Sequence, residues 1–274
     1  MANRVVTGFA PSAGTGLYFE TVGDGDALVF VHAGVSDRRM WDAQFEFFAS
    51  RHRVIRYDLR GFGKSKMGEG PYSLREDLRS VLAFLGVEKA ALVGCSMGGA
   101  AAIDFALTWP AMVSALVPVA AGISGFEWSA DSISHWTRMM KLVQERDVEQ
   151  AREIDARYWI DGPSRDAARV DTAYRERARK IHGENFDLQR FARPEQELKP
   201  PALQRLGDIS CPTLVVVGDS DTPDLIKLAK RLAAEIRGAK IAMIENAAHL
   251  PSMEHPGKFN ELLQQFLSSI STRS

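Results

Sequence analysis

The stretch ALVGCSMGGAAA, Ala91–Ala102, sets a serine between glycines directly after an apolar run. Gly94-Cys95-Ser96-Met97-Gly98 fits the pattern G-x-S-x-G, with Gly99 and Ala100 extending the small residues. A sharp strand-to-helix turn drives its central residue into unfavourable backbone angles, so bulky neighbours are excluded. Such a turn lifts the serine oxygen off the C-terminal edge of a parallel sheet, where ligands bind in open α/β folds. The helix expected from Met97 to about Trp109 directs its N-terminal dipole at that oxygen and favours negative charge there. Ser96 is therefore the candidate nucleophile. Cys95 sits one residue early, so its side chain points the opposite way, into packing.

Working outward, short apolar runs recur on both sides of this turn. Ala27–His32, His52–Asp58, Ala90–Cys95, Val113–Ala120 and Thr213–Gly218 are apolar on consecutive positions, and Lys240–Glu245 is a weaker sixth. Runs of this length fit strands covered on both faces. Helical stripes lie between them: Trp41, Phe45 and Phe48; Leu74, Leu78, Leu82 and Leu85; Leu225, Leu228, Leu232 and Ile236; and the last segment from Phe259 to Ile270. The alternation predicts an α/β chain with a mostly parallel central sheet and helices on both faces. Val5–Val6 and Leu17–Val22, with Gly14 and Gly16 between, predict an antiparallel hairpin at one sheet edge.

The rhythm stops after Ala121 and resumes at about Asp208. Charged, helix-forming pieces fill the interval, carrying Phe126, Trp128, Trp136, Met139, Met140, Tyr158, Trp159, Phe186 and Phe191. We read residues 1–121 and 208–274 as one core and 122–207 as an inserted helical cap. Most of the cap aromatics are expected to form its own small core. Trp128, Trp136, Met140 and Trp159, with Leu250, are the candidates for lining a substrate pocket. Twelve arginines fall in the cap among interleaved acids, which describes a solvated helical surface.

A serine hydroxyl becomes a useful nucleophile only when an oriented base takes its proton. Of six histidines, His249 follows the last strand and precedes the terminal helix, in a loop that emerges at the same edge as Ser96. His52 opens a strand at the opposite edge. His255 precedes Pro256, which suits a helix start and a surface position, and His135 and His182 are expected at solvated cap positions. For the acid, Gly218 is followed by Asp219, Asp221 and Asp224. Asp219 reads as a turn residue, Asp224 as a helix-capping carboxylate, and Asp221 as the partner of His249. The order Ser96, Asp221, His249 is one of three known serine-triad orders. An attacked carbonyl also needs two N–H donors, and the backbone amides of Met97 and Gly34 are placed for this. His32 is expected to brace the loop that carries Gly34.

These residues together resemble the α/β-hydrolase fold family across nearly the whole chain. VHAGVSDRRMWDAQ (Val31–Gln44) is similar to its oxyanion loop, YDLRGFGKS (Tyr57–Ser65) to its Asp-x-Arg-Gly-x-Gly-x-Ser segment, and GCSMGG (Gly94–Gly99) to its nucleophile elbow. GDSD (Gly218–Asp221) resembles its acid loop and AAHLPSMEHP (Ala247–Pro256) its histidine loop. The nearest resemblance is to 3-oxoadipate enol-lactonase-like and carboxylesterase-like members, which implies no cofactor and a small-molecule ester or lactone substrate. It also implies structural roles for Asp58 and Arg60. Ala33 stands where the family usually has glycine. Ser96 argues against the dehalogenases and epoxide hydrolases of the fold, whose elbow carries aspartate. Many carbon–carbon bond hydrolases of the fold carry tryptophan beside the histidine, where this chain has Ala248 and Leu250. Carbon–carbon hydrolysis, a cofactor-free perhydrolase and a ligand receptor with vestigial catalysis remain alternatives to ester hydrolysis.

Composition excludes other classes. The chain has 274 residues, 45% hydrophobic and 25% charged, with a net charge of −1, so nothing marks a nucleic-acid binder. No apolar run approaches the roughly 20 residues that span a bilayer, and the first residues do not read as a secretory signal. Two cysteines give neither a disulfide framework nor a metal-binding spacing. The expectation is a cytoplasmic monomer or homodimer with no membrane partner.

Overall fold

The structure, a computed structural model, describes residues 4–186 and 195–271. Eight strands, β1 (Val6–Ser12), β2 (Thr15–Val22), β3 (Ala27–Val31), β4 (Arg53–Tyr57), β5 (Ala90–Cys95), β6 (Val113–Val119), β7 (Leu214–Gly218) and β8 (Lys240–Ile244), form one sheet. Their order is β1-β2-β4-β3-β5-β6-β7-β8. The β1–β2 and β2–β4 pairs are antiparallel and every other pair is parallel. The expected edge hairpin is present, but β1 runs on to Ser12, and Gly16 lies in β2, paired with Pro11, rather than in the turn.

The helices are α1 (Asp42–Phe48), α2 (Leu74–Phe84), α3 (Met97–Thr108), α4 (Ala130–Gln144), α5 (Val148–Ala156), α6 (Thr172–Asn185), α7 (Pro223–Glu235), α8 (Pro251–Glu254) and α9 (Pro256–Ser271). Strand periodicity splits the apolar runs between two cores. Val29, Val31, Leu92, Val215 and Val217 face one side, with Leu78 of α2, Phe105 of α3 and Leu228 of α7. Leu28, Phe30, Val93, Leu214 and Val216 face the other, with Phe48 of α1 and Phe259 and Leu263 of α9. Consecutive apolar residues are thus required because both faces are covered. Trp41, expected in the first helix, sits instead in a 3₁₀ turn, Arg38–Trp41, that leads into α1.

Between β6 and β7 lie α4, α5, a π-helical turn at Arg157–Asp161, and α6. A small apolar cluster of Met139, Leu142 and Ala151 holds this segment together, with Met140 and Phe186 packed against it. Phe191, Arg190 and Arg193 lie outside the described residues.

Helix α3 approaches the sheet more closely than side chains allow. A Cβ at Gly98 would lie 2.4 Å from the Val31 carbonyl oxygen and 2.6 Å from that of His32, and one at Gly94 would lie 2.2 Å from the Gly98 carbonyl oxygen. The helix ends at Thr108, before Pro110, where proline disfavours helical backbone at the preceding residue. Deeper along α3, burial pushes the Asp104 carboxyl up to about 6, with Glu197 adding to the effect and Arg75 and Arg205 opposing it.

Two outcomes follow for stability. Gly98→Ala should lose about 1–3 kcal/mol or more, as overpacking against rigid backbone does, whereas Gly257→Ala, where a Cβ meets nothing within 4 Å, should be neutral or mildly stabilising; urea unfolding compares them. For Asp104, the folded-state value exceeds the unfolded one, so the unfolded chain ionises first and stability falls as pH rises from about 4 to about 6. Asp104→Asn should be more stable than wild type at pH 8, by on the order of 1–3 kcal/mol. That advantage should shrink towards pH 4, as read by thermal unfolding across pH.

Candidate active site

Ser96 joins β5 to α3 with φ 53° and ψ −113°, a left-handed conformation that a residue with a side chain adopts only under constraint. Its backbone is held on both sides. The Ser96 N–H donates to the Val119 carbonyl at 2.9 Å, and its own carbonyl accepts from Ala100 N–H at 2.9 Å and Gly122 N–H at 3.2 Å. The residue is half-buried. A Cβ at Gly34 would lie 2.9 Å from Met97 Cε, so the loop after β3 and the start of α3 are direct neighbours.

That loop is braced from several directions. His32 Nε2 accepts from the Leu59 N–H at 2.8 Å, and its Nδ1 lies 2.8 Å from the Ala33 carbonyl, which fixes the Nδ1–H tautomer. Asp58 accepts from Arg38 Nη1 at 2.9 Å and from the Arg38 and Lys64 amides at 3.0 and 2.9 Å. Arg60 forks onto Asp77 at 2.6 and 2.9 Å. Both residues of the Asp-x-Arg segment are thus tied into structure. Burial alone would raise Asp37, but hydrogen bonds from Arg39 and Asn185 outweigh it and hold the carboxyl at about 2.

At the same sheet edge, β7 and β8 deliver the acid and histidine loops. His249 Nδ1 and Asp221 Oδ2 are 3.1 Å apart, both side chains almost fully buried. The second Asp221 oxygen accepts from the Thr222 N–H at 2.7 Å. With Nδ1 committed to Asp221, Nε2 is the ring nitrogen left to face other groups. Asp219 is a turn residue, accepting from Asn246 N–H at 2.8 Å and Ser220 Oγ at 2.9 Å. Asp224 departs from expectation. The N-cap of α7 is Thr222, and the Asp224 carboxylate reaches away from its helix to accept from Ser132 Oγ at 2.6 Å, Ser129 Oγ at 2.7 Å and Ser129 N–H at 3.0 Å. His255 lies 3.1 Å from the Asn246 carbonyl, at the foot of α9.

Of the pocket candidates, Trp159 meets the site directly, its ring centroid 4.5 Å from that of His249. Trp128 and Trp136 form an edge-to-face pair at 4.9 Å, continued by Phe126. Met140 packs in the small cluster of the helical segment, and Leu250 is buried in the core below His249. His135 and His182 are not solvated, contrary to expectation. Both bond the buried Asp155, at 3.4 and 2.9 Å, because the facing helices enclose that carboxylate and its charge needs donors. Sequence reasoning passed over Asp155 and Arg165. Arg165 bonds Glu254 at 2.7 Å and the Asn246 carbonyl at 2.6 Å, while Glu254 also accepts from Ala248 N–H at 2.9 Å. No local pattern marks either residue; their partners are distant in sequence.

Cys95 faces away from the serine. Its thiol donates weakly to the His249 carbonyl, with Sγ 3.5 Å from the oxygen, and burial, reinforced by Asp221, pushes it well above the ordinary thiol range. Cys211 is also raised by burial but is partly exposed. Iodoacetamide at pH 8 should therefore alkylate Cys211 first and leave Cys95 intact until the protein is denatured, as peptide mass mapping would read.

Among the described residues, no cluster of His, Cys, Asp or Glu could hold a metal ion, and no helix is long and apolar enough to cross a membrane. The model of the alpha/beta hydrolase family matches residues 28–262. A 2-hydroxy-6-oxononadienedioate/2-hydroxy-6-oxononatrienedioate hydrolase of Klebsiella pneumoniae is 29% identical over 265 residues, covering 92% of this chain and 91% of that protein. The 3-oxoadipate enol-lactonase 1 of Acinetobacter baylyi is 27% identical over 249 residues, covering 89% of each. A thermophilic esterase from Thermogutta terrifontis superposes with a TM-score of 0.78 at 26% identity, covering 97% of this chain and 99% of that one. The chain belongs to the alpha/beta hydrolase family.

Proposed function

We propose that the protein hydrolyses a small carboxylic ester or lactone through an acyl-enzyme, with Ser96 as nucleophile, His249 as base and Asp221 as the group that orients it. The observation that carries this reading is the buried His249–Asp221 pair, 3.1 Å apart, at the sheet edge where Ser96 holds its left-handed turn. Ser96 Oγ attacks the carbonyl carbon while His249 Nε2 takes its proton. The carbonyl oxygen becomes an oxyanion facing the Met97 and Gly34 amides and the N-terminus of α3. Collapse breaks the bond to the leaving alkoxide, which takes the proton from Nε2. Water then attacks the acyl carbon, again losing its proton to Nε2, which returns it to Ser96 Oγ. Residues 122–207 serve as the lid over this edge, with Trp159 as part of its wall.

Five arginines of the helical segment are engaged by the protein itself. Arg165 is engaged by Glu254, Arg175 and Arg179 by Asp161, and Arg177 by Asp42. Arg157 donates to the carbonyls of Gly162 and Arg165. Among the described residues, these guanidiniums are already committed to the protein itself. The second reading is carbon–carbon bond hydrolysis on the same three residues, favoured by the names of the relatives such as that of Klebsiella pneumoniae.

Ser96→Ala should keep the fold and lower kcat by on the order of 10⁴–10⁶, and a fluorophosphonate should label wild type at Ser96 alone. Asp221→Asn should cost roughly 10⁴ in kcat by favouring the wrong imidazole tautomer, whereas Asp219→Asn and His255→Ala should retain most activity. Labelling that survives Ser96→Ala would overturn the nucleophile. A panel of aryl esters, lactones and 2-hydroxy-6-oxo-dienoates, the last followed by loss of dienol absorbance, separates the two reactions by relative kcat/KM.

A further inference from the structure

A buried carboxylate that takes no part in the reaction above sits one contact away from His249. Asp155, near the end of α5, is 6% exposed and collects donors from three elements. Trp159 Nε1–H of the π-helical turn donates to Oδ1 at 3.0 Å, His182 Nε2 of α6 lies 2.9 Å from Oδ2, and His135 Nε2 of α4 lies 3.4 Å from Oδ1. The indole so held has its centroid 4.5 Å from the His249 ring, the planes inclined at 42°. Tyr158 braces the indole edge-on at 4.7 Å and stacks on His135 at 3.8 Å, 8° from parallel. Tyr158 Oη is in turn 3.1 Å from Ser132 Oγ, which donates to Asp224.

We propose that Asp155 is a positioning residue for the His249 imidazole, acting through the Trp159 indole; the inference rests on the role proposed above for His249. The Asp221 bond fixes His249 at Nδ1 only, which leaves the ring free to tilt about that contact. The indole, inclined against the imidazole with the centroids 4.5 Å apart, restricts that tilt and with it where Nε2 aims. The indole can do this only if its own rotation is stopped, and its one polar handle is the Nε1–H. An ionised acceptor makes a stronger anchor than a neutral one. The two histidine bonds outweigh burial and hold the Asp155 carboxyl below the usual carboxylate range. A group that aims a base at the reacting atom matters steeply, since misplacement by about 1 Å can cost two orders of magnitude in rate.

Asp155→Asn, Trp159→Phe and the double variant test this, with 4-nitrophenyl acetate as substrate and ring-¹³C-histidine NMR at pH 8 without substrate. The His249 Hε1 resonance is identified by its loss in His249→Gln. Asp155→Asn should lower kcat about tenfold with KM changed less than about threefold, as loss of a charged hydrogen bond does. It should also move the His249 Hε1 resonance in the direction that Trp159→Ala moves it. In the Trp159→Phe background, which keeps a ring but has no N–H, Asp155→Asn should add less than a twofold effect. An equal loss in both backgrounds, or an unmoved resonance, would overturn the proposal and leave Asp155 as a packing residue. If Asp155→Asn loses its circular dichroism, the kinetics of Trp159→Phe decide: kcat lowered about tenfold with KM changed less than about threefold supports the anchor, and kcat unchanged by losing the N–H refutes it. The resonance is read without turnover, so failure of the hydrolase reading and failure of this one are separate results.

Discussion

The approach of α3 to the ends of β3 and β5 governs the rest of the molecule. With separations of 2.2–2.6 Å between any added Cβ and carbonyl oxygens, Gly94 and Gly98 are positions where nothing larger fits. That proximity makes the chain turn within one residue, and the residue at the turn takes φ 53° as a consequence. The same contact puts Met97 against Gly34, so the strained turn and the loop after β3 are positioned by one packing event. Strain at Ser96 is offset by its surroundings: Val119 of β6 accepts from its N–H, and the amides of Ala100 in α3 and of Gly122 after β6 donate to its carbonyl.

A second economy lies in the loop after β7. Three aspartates within six residues each meet a different segment: Asp219 the Asn246 amide, Asp221 the His249 ring, and Asp224 the serines that open α4. The loop thereby registers the histidine loop in two places, and the first turn of α7 that follows it registers the helical segment. Opposite it, Glu254 does comparable service, accepting from the amide before His249 while paired with Arg165. The histidine ring is held by Asp221, its loop is tied by Glu254, and the Trp159 ring lies inclined against it.

The sheet, the strand-to-helix turn at Ser96 and the pairing of His249 with Asp221 were legible in the sequence because each is written locally. Apolar runs mark doubly covered strands, and glycines mark the close approach. Position after a strand decides which loop a side chain belongs to. Asp219 and Asp221 share one loop, and Asp219 is set apart as the turn residue directly after the strand. What was not legible depends on partners far apart in the chain. Asp224 reads as a helix cap, and only the arrival of Ser129 and Ser132 from 95 and 92 residues away shows otherwise. His135 and His182 read as polar surface, since nothing near either announces the shared carboxylate of Asp155. Of the cap's large apolar side chains, sequence could not tell which would meet His249, as Trp159 does, and which would pack within the cap, as Met140 and Phe186 do.

The helical segment between β6 and β7 is riveted to segments that surround the site. Asn185 donates to Asp37 at 2.8 Å and accepts from Gly63 N–H at 2.7 Å, Ser129 and Ser132 are held by Asp224, and Arg165 is held by Glu254. Each rivet has one half in the segment and the other in the sheet domain. Such a segment is a poor module for recombination. Transplanted into a related scaffold without Asp37, Asp224 and Glu254, it would bring buried donors with no acceptors and pull three loops out of register at once. Diversification of this lineage by exchanging whole lids would therefore require the receiving loops to change in step, whereas replacement of single wall residues would leave every rivet in place.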